Sequence, residues 1–267
     1  RLLFWCGEHI MKKKEVLMEK FKIVADSSSD IISLSDAEFC SVPLKIITAG
    51  REFTDNEKLN VAEMVEYLAS YKGRSSSSCP NPQDWLSAFG DSENIFCITI
   101  TSSLSGCHNA ALIAKRMYEQ SNPGRRVFVL DSLSTGPEMR LVIELAEKLY
   151  LEGKSFDEIC ASCEEYSKST RLFFLLKSMK NLANNGRVSH LAAKAAGLLG
   201  IRVLGEASEK GELAMLDKCR GLENTFKTVV SRMKERGYSG GKVRLSHCIN
   251  EEDAKNLEKH IENVQKF

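Results

Sequence analysis

The stretch Ile98-Thr-Ile-Thr-Ser-Ser-Leu-Ser-Gly-Cys-His-Asn-Ala-Ala111 decides how the chain is read. An apolar run (Ile95, Phe96, Ile98, Ile100) of strand length stops at the hydroxyls of Thr101, Ser102, Ser103 and Ser105. Beyond Gly106, apolar residues recur at Ala110, Ile113, Ala114 and Met117, which is helical spacing. The pattern is strand, small-residue turn, helix. Free amides at such a helix start, helped by side-chain hydroxyls, suit an anion. With no Lys or Arg in the turn, that anion carries modest charge. The plainer reading is that Ser105 caps a helix, as many strand-helix units require.

Working outward, the same unit repeats. Phe21–Ala25 predicts a short strand ending in Asp26-Ser-Ser-Ser-Asp30, and Arg126–Leu130 another, ending in Asp131-Ser-Leu-Ser-Thr-Gly136. Val42–Ile47 is a further strand candidate with Pro43 near its beginning. Asn60 with Glu63 predicts a capping box opening a helix whose apolar face is Val61, Met64, Val65 and Leu68. Arg74-Ser-Ser-Ser-Ser-Cys-Pro-Asn-Pro82 reads as a flexible loop, with Asn81 and Pro82 as N-cap and first residue of a helix that turns Trp85, Leu86 and Phe89 inward. Pro137 opens a helix burying Val142, Leu145 and Leu149; Gly153 ends it, and Ser155 with Glu158 opens the next. Strands alternating with helices imply a mostly parallel sheet covered on both faces. Ligands of such sheets bind beyond the carboxyl ends of the strands, where these hydroxyl-rich loops converge.

The second half has a different character. Arg171–Leu176 predicts a strand and Ser178–Leu182 a short helix stopped by Asn184-Asn-Gly186. Ala192–Leu199 follows as a small-residue helix. Strands Ile201–Leu204 and Glu212–Leu216 flank the turn Glu209-Lys-Gly211. A helix over Leu222–Arg236, a strand over Lys242–His247 and a helix over Glu251–Val264 complete an α+β segment. The expected fold class is therefore α/β with two domains. Residues 1–20 form an extension, with Met11 or Met18 as a natural start; residues 21–160 form an N-terminal three-layer αβα domain; residues 161–267 form a C-terminal α+β domain.

Composition narrows the function classes. The 267 residues are 43% hydrophobic and 27% charged, ordinary for a globular chain with ample core. A net charge of +1 points to no nucleic-acid or membrane partner. Nine scattered cysteines, an odd number in a long chain, read as reduced thiols of a cytoplasmic protein. No stretch approaches the roughly 20 apolar residues of a membrane-spanning helix. Phosphate-loop, dinucleotide-binding, zinc-protease and nucleophile-elbow signatures are all missing from the sequence. Cys160-Ala-Ser-Cys163 lies inside a predicted helix without a second pair for zinc, so it reads as packing. His108 reads as a surface or packing residue, and His247 ends a predicted strand, where a structural role outweighs a place in a cleft. Hydroxyls and backbone amides thus carry the chemistry, an inventory that binds an anion better than it transforms one.

Several of these pieces resemble the DegV family. Ile23-Val-Ala-Asp-Ser-Ser-Ser-Asp30, Val42-Pro-Leu44, Ser77-Ser-Cys-Pro80 and Ile100-Thr-Ser-Ser-Leu-Ser-Gly106 match its N-terminal half. Asp131-Ser132, Gly186-Arg-Val188, Gly200-Ile-Arg202 and Asp217-Lys-Cys-Arg-Gly221 match the rest in the expected order, over about residues 21–255. The resemblance implies a two-domain fatty-acid-binding carrier, cytoplasmic and bacterial. It would have no catalysis and no cofactor beyond the bound long-chain fatty acid, whose acyl chain lies between the domains. It also implies a fatty-acid kinase as partner. By that resemblance, Ser77 and Ser105 are the carboxylate ligands, with the Gly106 amide beside them, Ser102 and Ser103 nearby, and His247 on a late strand. Several positions depart from the family pattern: Ser77 stands for a Thr and keeps the hydroxyl, Cys79 stands for a Gln, Cys107 stands for a Thr, and Cys248 and Ile249 stand between His247 and Asn250. The pattern also continues into a last strand and a Gly-Pro-Gly tail, whereas the sequence stops at Phe267. Either the tail lies beyond this sequence or the second domain is abbreviated. A lysine buried against the carboxylate would oppose its release to a kinase, so none is expected there. The alternative is a small-molecule transferase or hydrolase using Ser105 or His247, which would need a base near the serine.

Overall fold

The computed structural model describes residues 20–188 and 201–265; the expected helices over Lys13–Lys20 and Ala192–Leu199 lie almost wholly or wholly outside them. Four strands, β1 (Phe21–Asp26), β2 (Glu38–Val42), β6 (Asn94–Thr99) and β7 (Arg126–Asp131), form a parallel sheet in the order β2-β1-β6-β7. β6 is buried at every position, as a central parallel strand covered on both faces must be. Helices α2 (Pro82–Phe89) and α3 (Cys107–Ser121) cover one face, where Trp85, Phe89, Ala111 and Ala114 meet Val24, Ile95 and Cys97. Helices α4 (Pro137–Leu151) and α5 (Phe156–Ser169) cover the other, where Met139, Ile143 and Ile159 meet Ile23, Phe96 and Ile98. The three-layer reading is thus met. α5 runs across the expected boundary at 160/161, and its buried Phe156, Ile159, Cys160 and Cys163 belong to this core. Burial pushes both thiols of the Cys160/Cys163 pair up to about 12, as suits side chains packed in this core.

Local chemistry sets the helix starts. Asn81 and Asp84 form a reciprocal capping box at α2, and Ser155 and Glu158 form another at α5. At α1 (Val61–Ser70) only half of the expected box forms: Asn60 accepts from the Glu63 amide, while the Glu63 carboxylate is drawn to Arg51. None of the α1 side chains is fully buried. In α3 the buried stripe is Cys107, Ala110, Ala111, Ala114 and Tyr118, one position round from the expected face, and Met117 is exposed. Small residues let this helix lie close on the sheet, and the closest approach, not the largest apolar side chains, fixes its rotation.

Three further expectations are corrected. Val42–Ile47 is not one strand: β2 ends at Val42, Pro43 cannot continue the ladder, and β3 (Lys45–Ile47) joins a separate sheet. That sheet, β4-β3-β5, contains β4 (Glu52–Thr54) and β5 (Ser76–Ser78), so the serine tract expected as a loop is a strand antiparallel to β3. Lys242–His247 forms no strand; it is irregular chain whose Lys242 and Arg244 are ion-paired with Glu144 of α4.

In the second half, β8 (Phe173–Leu176), β9 (Ile201–Ala207) and β10 (Leu213–Arg220) form an antiparallel sheet ordered β10-β9-β8. α6 (Lys180–Asn184) follows β8. α7 (Leu222–Glu235) and α8 (Glu251–Gln265) pack on one face of that sheet through Leu204, Val229, Met233 and Ile261.

Candidate functional site

The site is built where β1, β6 and β7 end together. Asp26, the last residue of β1, is fully buried and ties the strand ends: its Oδ2 accepts the Ile100 amide at 2.7 Å and its Oδ1 accepts the Ser28 amide at 3.1 Å. Burial pushes this carboxyl up, and hydrogen bonds from Ser28, Ile100 and Cys107 pull it back only in part. From β7, Asp131 accepts the Ser102 amide at 3.2 Å, and the Ser134 carbonyl accepts the Thr101 amide at 2.8 Å. Residues 100–104 are therefore gripped from both sides before α3 begins.

The rest of that turn is open. Ser102, Ser103, Ser105 and Gly106, with His108, Asn109 and Leu112 of α3, line a hollow of about 350 Å³. Gly106, the N-cap of α3, has no side chain to cap the helix, so the neighbouring Ser105 hydroxyl is what meets its first amide. Ser105 is more than a cap: its Oγ accepts the Cys107 amide weakly at 3.4 Å and donates to Cys107 Sγ at 3.2 Å. Among the described residues no imidazole or carboxylate bonds that hydroxyl, and the nearby His108 ring pairs instead with Thr99 Oγ1 at 3.3 Å.

The other residues expected at the site fall differently. Ser77 lies in β5 opposite Ile46, on an exposed position. Two residues on, Cys79 Sγ stands 3.1 Å from where a Cβ on Gly106 would be, so the end of β5 abuts the turn. The strand period puts Ser77 and Cys79 on one side of the chain. His247 is not brought to the hollow: it is exposed, and its Nδ1 accepts the Asn250 amide at 3.4 Å. Its neighbour Ser246 hydrogen-bonds Asp30, whose carboxyl burial pushes up.

Two contributions from the second half were not read as site residues. Arg187, next to α6, lines the hollow as an exposed cation. The β9–β10 hairpin tip rests directly on the turn: Ser103 Oγ donates to the Lys210 carbonyl at 2.6 Å. At Gly211, with φ +73°, a Cβ would stand 2.0 Å from Thr101 Oγ1 and 3.0 Å from the Leu133 Cα. Only glycine fits there, on both counts. The glycine was legible in the sequence as a turn residue; what it touches, over 100 positions away, was not.

Comparison with known proteins decides the family. The DegV family model, described as an uncharacterised protein of the DegV family, matches residues 20–266. The chain belongs to the DegV family. A DegV domain-containing protein of Streptococcus pneumoniae is 38% identical over 245 residues, covering 90% of this chain and 87% of the relative. Two solved DegV-type structures are close in shape. A DegV family protein from Eubacterium eligens, loaded with heptadecanoic acid, has TM-score 0.91 and 42% identity over 92% of this chain and 89% of its own. The Streptococcus pneumoniae Fatty Acid Kinase (Fak) B3 protein, loaded with linoleic acid, has TM-score 0.90 and 37% identity over 92% and 89%. The mixed architecture, parallel sheet first and α+β region second, is that of these DegV structures.

Proposed function

We propose that this DegV chain binds one long-chain fatty acid, with its carboxylate at the Ser102–Gly106 turn and its acyl chain buried between the two halves. It acts as a cytoplasmic carrier that offers the headgroup to a fatty-acid kinase. The observation that carries the reading is the pairing of the turn's hydroxyl-and-amide hollow with two structural relatives that hold C17 and C18 fatty acids. In the proposed site Ser105 Oγ and the Gly106 amide bind one side of the carboxylate, Ser77 approaches from β5, and Ser102 and Ser103 shape the turn. His247, exposed and outside the hollow's lining, is not assigned to the headgroup.

The energetics suit a carrier. Burying a chain of palmitate length at roughly 0.8 kcal/mol per methylene contributes on the order of 10 kcal/mol before ordering costs. The headgroup contacts then have only to satisfy a desolvated carboxylate, for which two or three hydrogen bonds suffice. Arg187 fits this division of labour because it is exposed and can withdraw, unlike a buried cation that would hold the carboxylate from a kinase. Among the described residues no helix is long and apolar enough to cross a membrane.

The test is extraction of protein purified from a bacterial host, followed by mass spectrometry of the released lipid. A stoichiometric C16–C18 acid is expected. Lipid-free protein that also fails to take up palmitate would refute the reading. Presentation to a kinase is checked separately, by formation of acyl-phosphate when loaded protein, ATP and a fatty-acid kinase are combined.

A further inference from the structure

Two thiols flank the single glycine at the head of the proposed site. Cys79, at the end of β5, is exposed, and its Sγ lies against Gly106 at the 3.1 Å spacing given above. Cys107, the next residue after Gly106, is fully buried with its Sγ 3.2 Å from Ser105 Oγ. The fold makes Cys79 and Cys107 neighbours across one turn, since Cys79 Sγ lies against the residue bonded to Cys107. We propose that Cys79 and Cys107 form a reversible disulfide under peroxide, and that the bond closes the fatty-acid headgroup site.

The roles follow from exposure. Cys79 meets the oxidant: its thiolate attacks one peroxide oxygen, the O–O bond breaks, and a sulfenic acid forms while hydroxide leaves and takes up a proton as water. Cys107 resolves: its sulfur attacks the sulfenyl sulfur, the S–O bond breaks, and the departing hydroxide leaves as water with the Cys107 proton. The two thiols lose two electrons in total and the peroxide gains them. Burial, with Asp26 nearby, pushes the Cys107 thiol far up, so its attack is slow and depends on the sulfenyl sulfur being held beside it at the turn. Bonding to Cys79 would turn Cys107 Sγ away from Ser105 Oγ and draw the end of β5 over Gly106, into the space the carboxylate would occupy. Transient disulfides of this kind are the ones expected in a reducing compartment.

The disulfide claim stands by itself; its effect on ligand rests on the carrier reading. The full chain is treated with hydrogen peroxide and cleaved after Arg74, Glu93 and Lys115, which places Cys79 on one peptide and Cys97 with Cys107 on another. Fragment spectra then tell a 79–107 link from a 79–97 link. The expected result is a 79–107 link that dithiothreitol removes and that is missing in Cys79→Ser. Palmitate affinity should fall at least fivefold on oxidation of the parent chain and stay unchanged on oxidation of Cys79→Ser. Oxidation that yields only adducts, or links to other cysteines, overturns the disulfide. A 79–107 link with unchanged palmitate affinity overturns its closing role. Reduced protein that binds no palmitate sinks the carrier reading and the closing role together, while the peptide map still decides the disulfide.

Discussion

Gly211→Ala should loosen the seam between the two halves at the site itself. The new methyl would stand 2.0 Å from Thr101 Oγ1 and 2.9 Å from Thr101 Cβ, and Thr101 is buried at 1% exposure with its amide bonded to the Ser134 carbonyl. Neither neighbour is the free end of a long side chain, so the hairpin must move. An alanine at φ +73° adds about 1 kcal/mol or more of backbone strain. Forcing a methyl into a packed contact adds about 1–3 kcal/mol, and losing the Ser103–Lys210 bond removes about 1 kcal/mol. The sum is about 3–5 kcal/mol, with partial relief if the tip lifts away from the turn. Urea unfolding followed by circular dichroism measures it, with Ser103→Ala as the companion that removes only the hydrogen bond and costs about 1 kcal/mol. Lifting of the tip should also speed release of a fluorescent fatty acid. Stability of Gly211→Ala within about 0.5 kcal/mol of the parent, a span ordinary for surface substitutions, would refute a hairpin tip seated on Thr101.

Other outcomes are open to measurement. Burial opposes ionisation of Glu144, but hydrogen bonds from Arg244, Lys242 and Arg140 outweigh it and hold the carboxyl at about 2. Its folded value is below the usual one near 4.5, so its stabilisation is full above about pH 4.5 and is lost as pH falls toward 2. After allowance for solvent screening this is on the order of 2 kcal/mol; Glu144→Gln should flatten the acid limb of a stability–pH curve, and an unaltered limb would count against the cluster. Replacing both Ser77 and Ser105 by Ala should weaken palmitate binding by about 1–3 kcal/mol in calorimetry, with the fold retained; unchanged affinity would place the headgroup elsewhere. Ser155→Ala breaks the reciprocal capping box at α5 and should cost about 1 kcal/mol in thermal unfolding.

The parallel sheet and its helices were legible because each unit carries its own signals: an apolar run, a hydroxyl turn, then a capped helix. The Ser102–Gly106 turn was legible for the same reason, being contiguous in sequence. What escaped lay in long-range competition. The tract Ser75–Ser78 has no strand signature of its own and becomes β5 because Ile46 and its neighbours offer an edge. Pro43 was seen, yet which side of it belonged to which sheet depends on partners far along the chain. Asp26 looked like one more polar loop residue, whereas its burial and its bond to Ile100 follow from β1 and β6 being adjacent. Arg187 reaches the hollow, and Gly211 reaches Thr101 beside it, only through the packing of the second half, which no local spacing encodes.

The seating of residue 211 on residue 101 also bears on the order of events during synthesis. A chain that emerges N-terminus first can complete the β2-β1-β6-β7 sheet once Asp131 is out, and cover its second face once α5 has followed. The serine turn is then present but unbraced until the hairpin some 80 residues further on is made, since loops of that span close late and slowly. Competence to hold a lipid therefore belongs to the finished polypeptide, and a nascent chain stalled before β10 would present the hydroxyls without the lock that fixes them.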